Sequence, residues 1–273
     1  MKVLSDVGLG DVQSVYSGPE GQLWELVMGQ QIHIGGFRSS MDLAERAGIG
    51  AGMSGVDLCC CSGAGMRFLV RFRNVARMRG VDATPAMVEL GRRRTEAEGL
   101  HKDKDQERIT FKLADACETG EPAESADFVW GEDAWCYVVD KAKLIREAVR
   151  LTKPGGTIAF TDWMEGPAGL SEAEAERFLR FMKFANVQSL SGYTGLLGGA
   201  RCEIAVAADT GRFAPYVDLY LEMLDKQLTF DALRILDYNL AVMEGLAGEM
   251  KFLQQLGHDG KIVQGLIVAR KCG

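Results

Sequence analysis

The stretch Val56-Asp57-Leu58-Cys59-Cys60-Cys61-Ser62-Gly63-Ala64-Gly65 decides the fold. It opens as a short apolar strand, meets an acid, and breaks into a tight turn of small residues. The run that follows, Met66-Arg67-Phe68-Leu69-Val70-Arg71-Phe72, spaces its apolar residues for one helix face, so the turn joins a strand to a helix. Small side chains in such a turn let the backbone approach a ligand, and free amides at a helix start suit polar groups. Working outward, residues 75–81 read as a second strand. Asp82 closes it about 20 residues past the turn, where a ribose-binding carboxylate sits in doubly wound folds.

The alternation continues. Thr84 suits an N-cap and Pro85 the first position of a helix running to Glu98 and stopped by Gly99. A third strand, 109–113, ends at Ala114-Asp115-Ala116, and a fourth, 126–130, leads into the loop Gly131-Glu132-Asp133-Ala134-Trp135-Cys136-Tyr137. A helix over 140–151 is terminated by Lys153-Pro154-Gly155-Gly156 before a strand over 157–161. The expected fold is α/β, a Rossmann-like doubly wound sheet with its ligand at the strands' carboxyl ends. Residues 1–50 are expected to form an N-terminal helical lid, with a helix over 40–47 capped by Ser39 or Ser40, while the residues before Ser17 give little pattern. Residues 51–273 make the main domain, with helical cap insertions at about 165–200 and 212–257. The capping-box spacing Ser171-Glu172-Ala173-Glu174 opens the first insertion, and a strand over 261–270 ends the fold.

A chain of 273 residues can bury a full core. Net charge is -7, and the basic clusters Arg92-Arg93-Arg94 and Lys102-Asp103-Lys104 read as solvated faces, so no nucleic-acid partner is expected. No apolar run is long enough to span a bilayer, and the opening residues do not read as a basic-then-apolar leader, so a cytoplasmic location is expected. The seven cysteines are odd in number and lack a paired C-x-x-C spacing, which fits reduced thiols. Cys59, Cys60 and Cys61 alternate faces on a strand and cannot readily grip one ion, so no metal is expected. A second copy of the chain is the one macromolecular partner this reading leaves open.

The order Asp57-x-Cys59-x-Cys61-x-Gly63, then Asp82, then Leu113-Ala114-Asp115-Ala116, then Leu151-Thr152-Lys153-Pro154-Gly155-Gly156 resembles the class I S-adenosylmethionine-dependent methyltransferases. Within them, Val129 to Trp135 and Ile158 to Met164 look similar to the sarcosine/dimethylglycine and the ubiquinone- and tocopherol-type enzymes, as does Gln31-Ile32-His33-Ile34-Gly35 to their H-x-G segment. The resemblance implies methyl transfer from S-adenosylmethionine to the nitrogen, oxygen or carbon of a small-molecule substrate, leaving S-adenosylhomocysteine. It implies that Asp57, Cys59, Cys61 and Gly63 pass beneath the cofactor's methionine part, that Asp82 with Ala83 takes the ribose, that Asp115 and Ala116 take the adenine, and that Gly131 and Glu132 meet the methionine amino end. Two departures stand out: cysteines occupy positions 59 and 61, where the family carries glycine, and Tyr137 stands where the sarcosine-like enzymes have a histidine.

In-line displacement needs alignment, plus a base if the nucleophile must lose a proton. His33, Asp133 and Tyr137 are the catalytic candidates, with Glu132 and Asp162 also within the pattern; His33 ranks first because histidine is most easily poised near pH 7. Trp24, Phe37, Trp135 and Trp163 are candidates to line a substrate pocket. Two other readings stay open: a nicotinamide-dependent oxidoreductase, disfavoured by the missing G-x-G-x-x-G, and a non-catalytic S-adenosylmethionine-binding homologue.

Overall fold

The computed structural model describes residues 3, 4, 6–103 and 106–273; Lys104, named above in a basic cluster, lies outside the described residues. Three helices come first: α1 (Leu9–Ser17), α2 (Pro19–Met28) and α3 (Gly36–Arg46). The alternating part follows, as β1 (Ser54–Leu58), α4 (Ala64–Phe72), β2 (Arg77–Asp82), α5 (Pro85–Ala97), the hairpin β3 (Lys102–Asp103) and β4 (Gln106–Glu107), β5 (Ile109–Leu113), β6 (Ala126–Glu132), α6 (Lys141–Leu151) and β7 (Thr152–Glu165). The remainder runs α7 (Glu172–Met182), β8 (Gln188–Ser189), α8 (Leu190–Gly199), β9 (Cys202–Asp209), α9 (Phe213–Lys226), α10 (Thr229–Ile235), α11 (Leu240–His258) and β10 (Ile262–Lys271).

The main sheet has the order β5-β2-β1-β6-β7-β10-β9, with β8 alongside the end of β7. From β5 to β7 the strands are parallel, and β10 enters antiparallel between β7 and β9. Strand order reverses between β1 and β6, and at such a switch the flanking helices leave on opposite faces, opening a crevice at the carboxyl ends. Apolar side chains cover both faces, as parallel strands require. Leu144, Ile145, Ala148 and Leu151 of α6 pack with Val56, Leu58 and Phe160 on one side. Leu43 and Ala44 of α3 with Met66, Leu69 and Val70 of α4 pack against Phe128 and Trp130 on the other. A further apolar cluster around Trp163, Phe178, Phe213 and Leu253 joins the added helices to the sheet edge.

Four local expectations are revised. Helix α3 begins at Gly36, because Gly35 sits left-handed at φ 85° as its N-cap; Ser39 and Ser40 therefore lie inside the helix, buried, and cap nothing. Thr84 holds the N-cap position of α5 without a side-chain cap, and Asp82 Oδ1 instead accepts from its amide at 2.8 Å. The Lys153-Pro154-Gly155-Gly156 segment does not precede β7 but bulges within it: Ala126 pairs with Thr152 and Phe128 with Thr157, so the extra residues loop out of the ladder. The helical insertion expected over about 212–257 is interrupted after Lys226, where the Thr229 hydroxyl donates to the carbonyls of Leu224 and Asp225 and satisfies the helix end.

The turn after β1 shows what its cysteines cost. Cys59 and Cys61 have φ of 63° and 49°, with Gly63 at 75°, so both cysteines adopt the left-handed region. Amides hold them there: Cys59 and Cys60 donate to the Val81 carbonyl at 2.8 and 3.1 Å, and Cys61 donates to Asp82 Oδ2 at 2.8 Å. A side chain in this region costs about 1 kcal/mol. Cys61→Gly is expected to raise the unfolding free energy by about 1 kcal/mol in urea denaturation, and a fall would mean that packing of the thiol outweighs the backbone strain.

Candidate functional site

The switch point and the strand beside it present four acids along one edge: Asp57 from β1, Asp82 from β2, Asp115 after β5 and Glu132 from β6. Three adjoining cavities lie over them. A cavity of about 200 Å³ is bounded by Cys59, Cys61, Asp82, Ala83, Asp115 and Ala116 below, and by Leu9, Val12 and Tyr16 of α1 above. Next to it, about 50 Å³ is enclosed by Gln30, Gln31, His33, Asp57, Gly65 and Glu132. Beyond that, about 20 Å³ is walled by Trp24, Met28, His33, Tyr137, Trp163 and Phe184. Tyr16 lines all three, and its hydroxyl donates to that of Tyr137 at 3.1 Å.

Each acid is set differently. Asp82 accepts two backbone amides, from Cys61 and Thr84, and burial raises its pKa against the pull of those bonds. Asp57 is driven well above the ordinary carboxylate range, first by burial and then by the charges of Glu132 and Asp82. No ion-pair partner for Asp57 exists among the described residues, so an ammonium placed beside it would favour its ionised form. Glycine at position 65 is what lets the Glu132 and Trp130 side chains approach the helix start: a Cβ there would come within 2.7 Å of Glu132 Oε2 and 3.3 Å of Trp130 Nε1. The Trp130 indole N–H is itself buried without a partner. A zwitterionic amino-acid end, carrying one ammonium and acceptor oxygens, fits this corner.

His33 reaches the same corner from the N-terminal segment. Ser40 donates its single hydroxyl proton to Glu132 Oε1 at 2.6 Å, and Gln31 Nε2 donates to Ser40 Oγ at 2.9 Å. His33 Nε2 lies 3.2 Å from Ser40 Oγ and 3.3 Å from Glu132 Oε1. With Ser40's proton committed and a carboxylate able only to accept, both contacts require the proton on Nε2. Nδ1 of the neutral ring then carries the lone pair, and it is buried with no hydrogen-bond partner.

Asp133 is positioned otherwise. Held at φ 49°, it accepts from the Ile34 amide at 2.8 Å and from Gln264 Nε2 of β10 at 2.9 and 3.1 Å. Gln264 also donates to the Ile34 carbonyl at 2.9 Å, so this pair clamps the histidine segment onto the sheet. Burial raises the Tyr137 pKa, so its phenol keeps its proton. Asp162 lines none of the three cavities; it lies beneath the loop, accepting from the Cys136 amide at 3.0 Å and from the Tyr193 hydroxyl at 2.6 Å.

Burial pushes the Asp162 pKa up to about 6. The folded state thus holds this proton more tightly than the unfolded chain, and unfolding releases it between about pH 4 and 6. Wild type should lose up to about 3 kcal/mol relative to Asp162→Asn as pH rises through that window, and level off above it. Urea denaturation of both proteins at pH 4, 5, 6 and 7 measures this; a constant gap would contradict it.

Of the remaining sequence candidates, Trp24 and Trp163 meet in the smallest cavity, whereas Phe37 and Trp135 do not join them. Phe37 is 49% exposed and packs edge-on against Phe68 and Phe72, because α3 turns that face outward. Trp135 is fully buried, stacked on Phe160 at 4.1 Å with its indole donating to the Leu58 carbonyl. Gly131 serves that packing, since a Cβ there would come within 2.3 Å of the Trp135 indole nitrogen. Gly63 shapes the turn without lining a cavity. Tyr16 and Gln264 carry no site role in the sequence, and Ser40 reads there only as a helix cap; the helical spacing of Val12 and Val15 before Tyr16 was the one local signal of α1.

A sheet of this order with its crevice over the β1–β6 switch is a doubly wound α/β fold. Residues 56–160 match the family described as "Methyltransferase domain". The chain is 26% identical over 176 residues to methyltransferase GfsG of Streptomyces halstedii, covering 64% of this chain and 61% of that protein. It is 36% identical over 110 residues to the 27-O-demethylrifamycin SV methyltransferase of Amycolatopsis mediterranei, covering 39% and 40%. These matches span about two fifths to three fifths of the relatives' lengths. A phosphoethanolamine N-methyltransferase 2 of Haemonchus contortus, solved with phosphomonomethylethanolamine and S-adenosylhomocysteine, superposes at a TM-score of 0.82 with 20% identity, covering 96% of this chain and 59% of that one. Over residues 56–160 the chain is thus similar to methyltransferase domains, and its fold is similar to that of a methyltransferase solved with S-adenosylhomocysteine.

Proposed function

We propose that this protein binds S-adenosylmethionine along the acidic sheet edge and transfers its methyl group to a small-molecule acceptor. The observation that carries the reading is the meeting of the three cavities at Tyr16, two of them also bounded by His33, over acids at the ends of four neighbouring core strands. The cavity at Asp82 and Asp115 has the place and polarity for an adenosine. The corner at Asp57, Gly65 and Glu132 suits the amino-acid end, and the cavity at Trp24, His33 and Trp163 receives the atom to be methylated. The bound sulfonium supplies an electrophilic methyl group.

The chain's own residues then align and deprotonate. His33 Nδ1 takes a proton from the acceptor, while Nε2–H, held by Glu132 and Ser40, fixes the ring and supports the positive charge it gains. Asp133 and Gln264 hold the segment that carries His33, and the aromatic walls exclude water. Tyr137, paired with Tyr16, orients rather than deprotonates. Residues 1–50 act as the lid over the site, and the small cavities are expected to widen when it moves. Calorimetric titration with S-adenosylhomocysteine and with NAD tests the reading: binding of the first and not the second is expected, and the reverse result ends it.

A further inference from the structure

The 20 Å³ space beside His33 admits little more than the reacting group, so the body of any acceptor must extend elsewhere. A cavity of about 580 Å³ lies among α2, α9, α10 and α11. Trp24 lines both spaces, and Val27 and Phe181 of the large one precede Met28 and Met182 of the small one in the chain. The two cavities therefore adjoin at Trp24. A volume of this size falls in the range of about 300–1,000 Å³ that holds an organic ligand.

Building on the methyl-transfer reading, we propose that this cavity holds the body of the methyl acceptor: a large, largely apolar molecule without an anionic group, whose nucleophile reaches past Trp24 to His33. The lining favours that chemistry, with Leu23, Leu221, Leu246 and Met250 among its walls. Its charged members are Glu20, Asp218, Glu222 and Asp225 against Lys226 and Lys251. Lys226 is paired with Glu222 at 2.6 Å and Asp218 with His258 at 2.9 Å, which leaves Glu20 and Asp225 against Lys251. An acidic surround repels phosphate or diphosphate and tolerates a hydroxyl or an amine.

The test uses the full chain saturated with S-adenosylhomocysteine and the neutral apolar fluorophore N-phenyl-1-naphthylamine as probe. Saturable binding is expected. Ala247→Trp, which fills the cavity from the partly exposed wall of α11, should weaken it by about tenfold or more, with the milder Ala247→Phe in between. Both variants should keep S-adenosylhomocysteine affinity within about twofold, which also shows that they fold. Neutral apolar alcohols and amines should displace the probe, whereas millimolar sarcosine or phosphoethanolamine should not. Probe binding that neither variant weakens, or displacement by phosphoethanolamine, overturns the cavity assignment and leaves methyl transfer standing. Failure of the wild type to bind S-adenosylhomocysteine overturns both.

Discussion

Asp82→Ala is expected to lower S-adenosylhomocysteine affinity by about a hundredfold or more, roughly 3 kcal/mol. Two losses combine. A carboxylate at the end of β2 can accept both ribose hydroxyls, and hydrogen bonds to a charged group are each worth about 1.5–3 kcal/mol. The same carboxylate accepts from the Cys61 and Thr84 amides, so its removal frees a turn whose two cysteines already sit left-handed. Asp82→Asn, which keeps one carbonyl acceptor, should fall between the two. Titration calorimetry checks the series, and an Asp82→Ala protein with undiminished affinity would place the ribose away from β2.

His33→Ala is expected to lower kcat by about 10²–10⁴, the range for a positioned general base, with S-adenosylhomocysteine affinity nearly unchanged. The split follows from the geometry: Nε2 faces Ser40 and Glu132, and the partnerless Nδ1 is the atom free to take a proton. Ser40→Ala should have a smaller effect, since Glu132 still lies 3.3 Å from Nε2. The assay is labelled-methyl transfer with an acceptor found by screening. Equal turnover in His33→Ala would reduce the histidine to a support for the lid.

The alternating core was legible because its signals are local. An acid at or next to a strand's end, such as Asp82 or Asp57, falls at the carboxyl edge wherever the strand packs, and the α6 stripe through Leu144 and Leu151 has to face the sheet. What was hidden depended on partners distant in sequence. Gln264 lies 131 residues from Asp133, and nothing near either one announces the clamp. Ser40 looked like a helix cap because the left-handed Gly35 that actually starts α3 is indistinguishable in sequence from any loop glycine. Trp135 and Trp163 read alike as pocket residues, yet one is stacked in the core and the other walls the smallest cavity. Pro154-Gly155-Gly156 reads as a turn, and the ladder absorbs it as a bulge only because β6 continues alongside.

Strand β10 lies between β7 and β9, and it brings the glutamine that fastens His33's segment. During synthesis, β9 is made some fifty residues before the strand that gives it a neighbour, and the acidic edge proposed to bind the nucleoside is complete long before the histidine can be locked over it. A nascent or clipped chain lacking β10 could therefore still grip the cofactor while leaving it open to water.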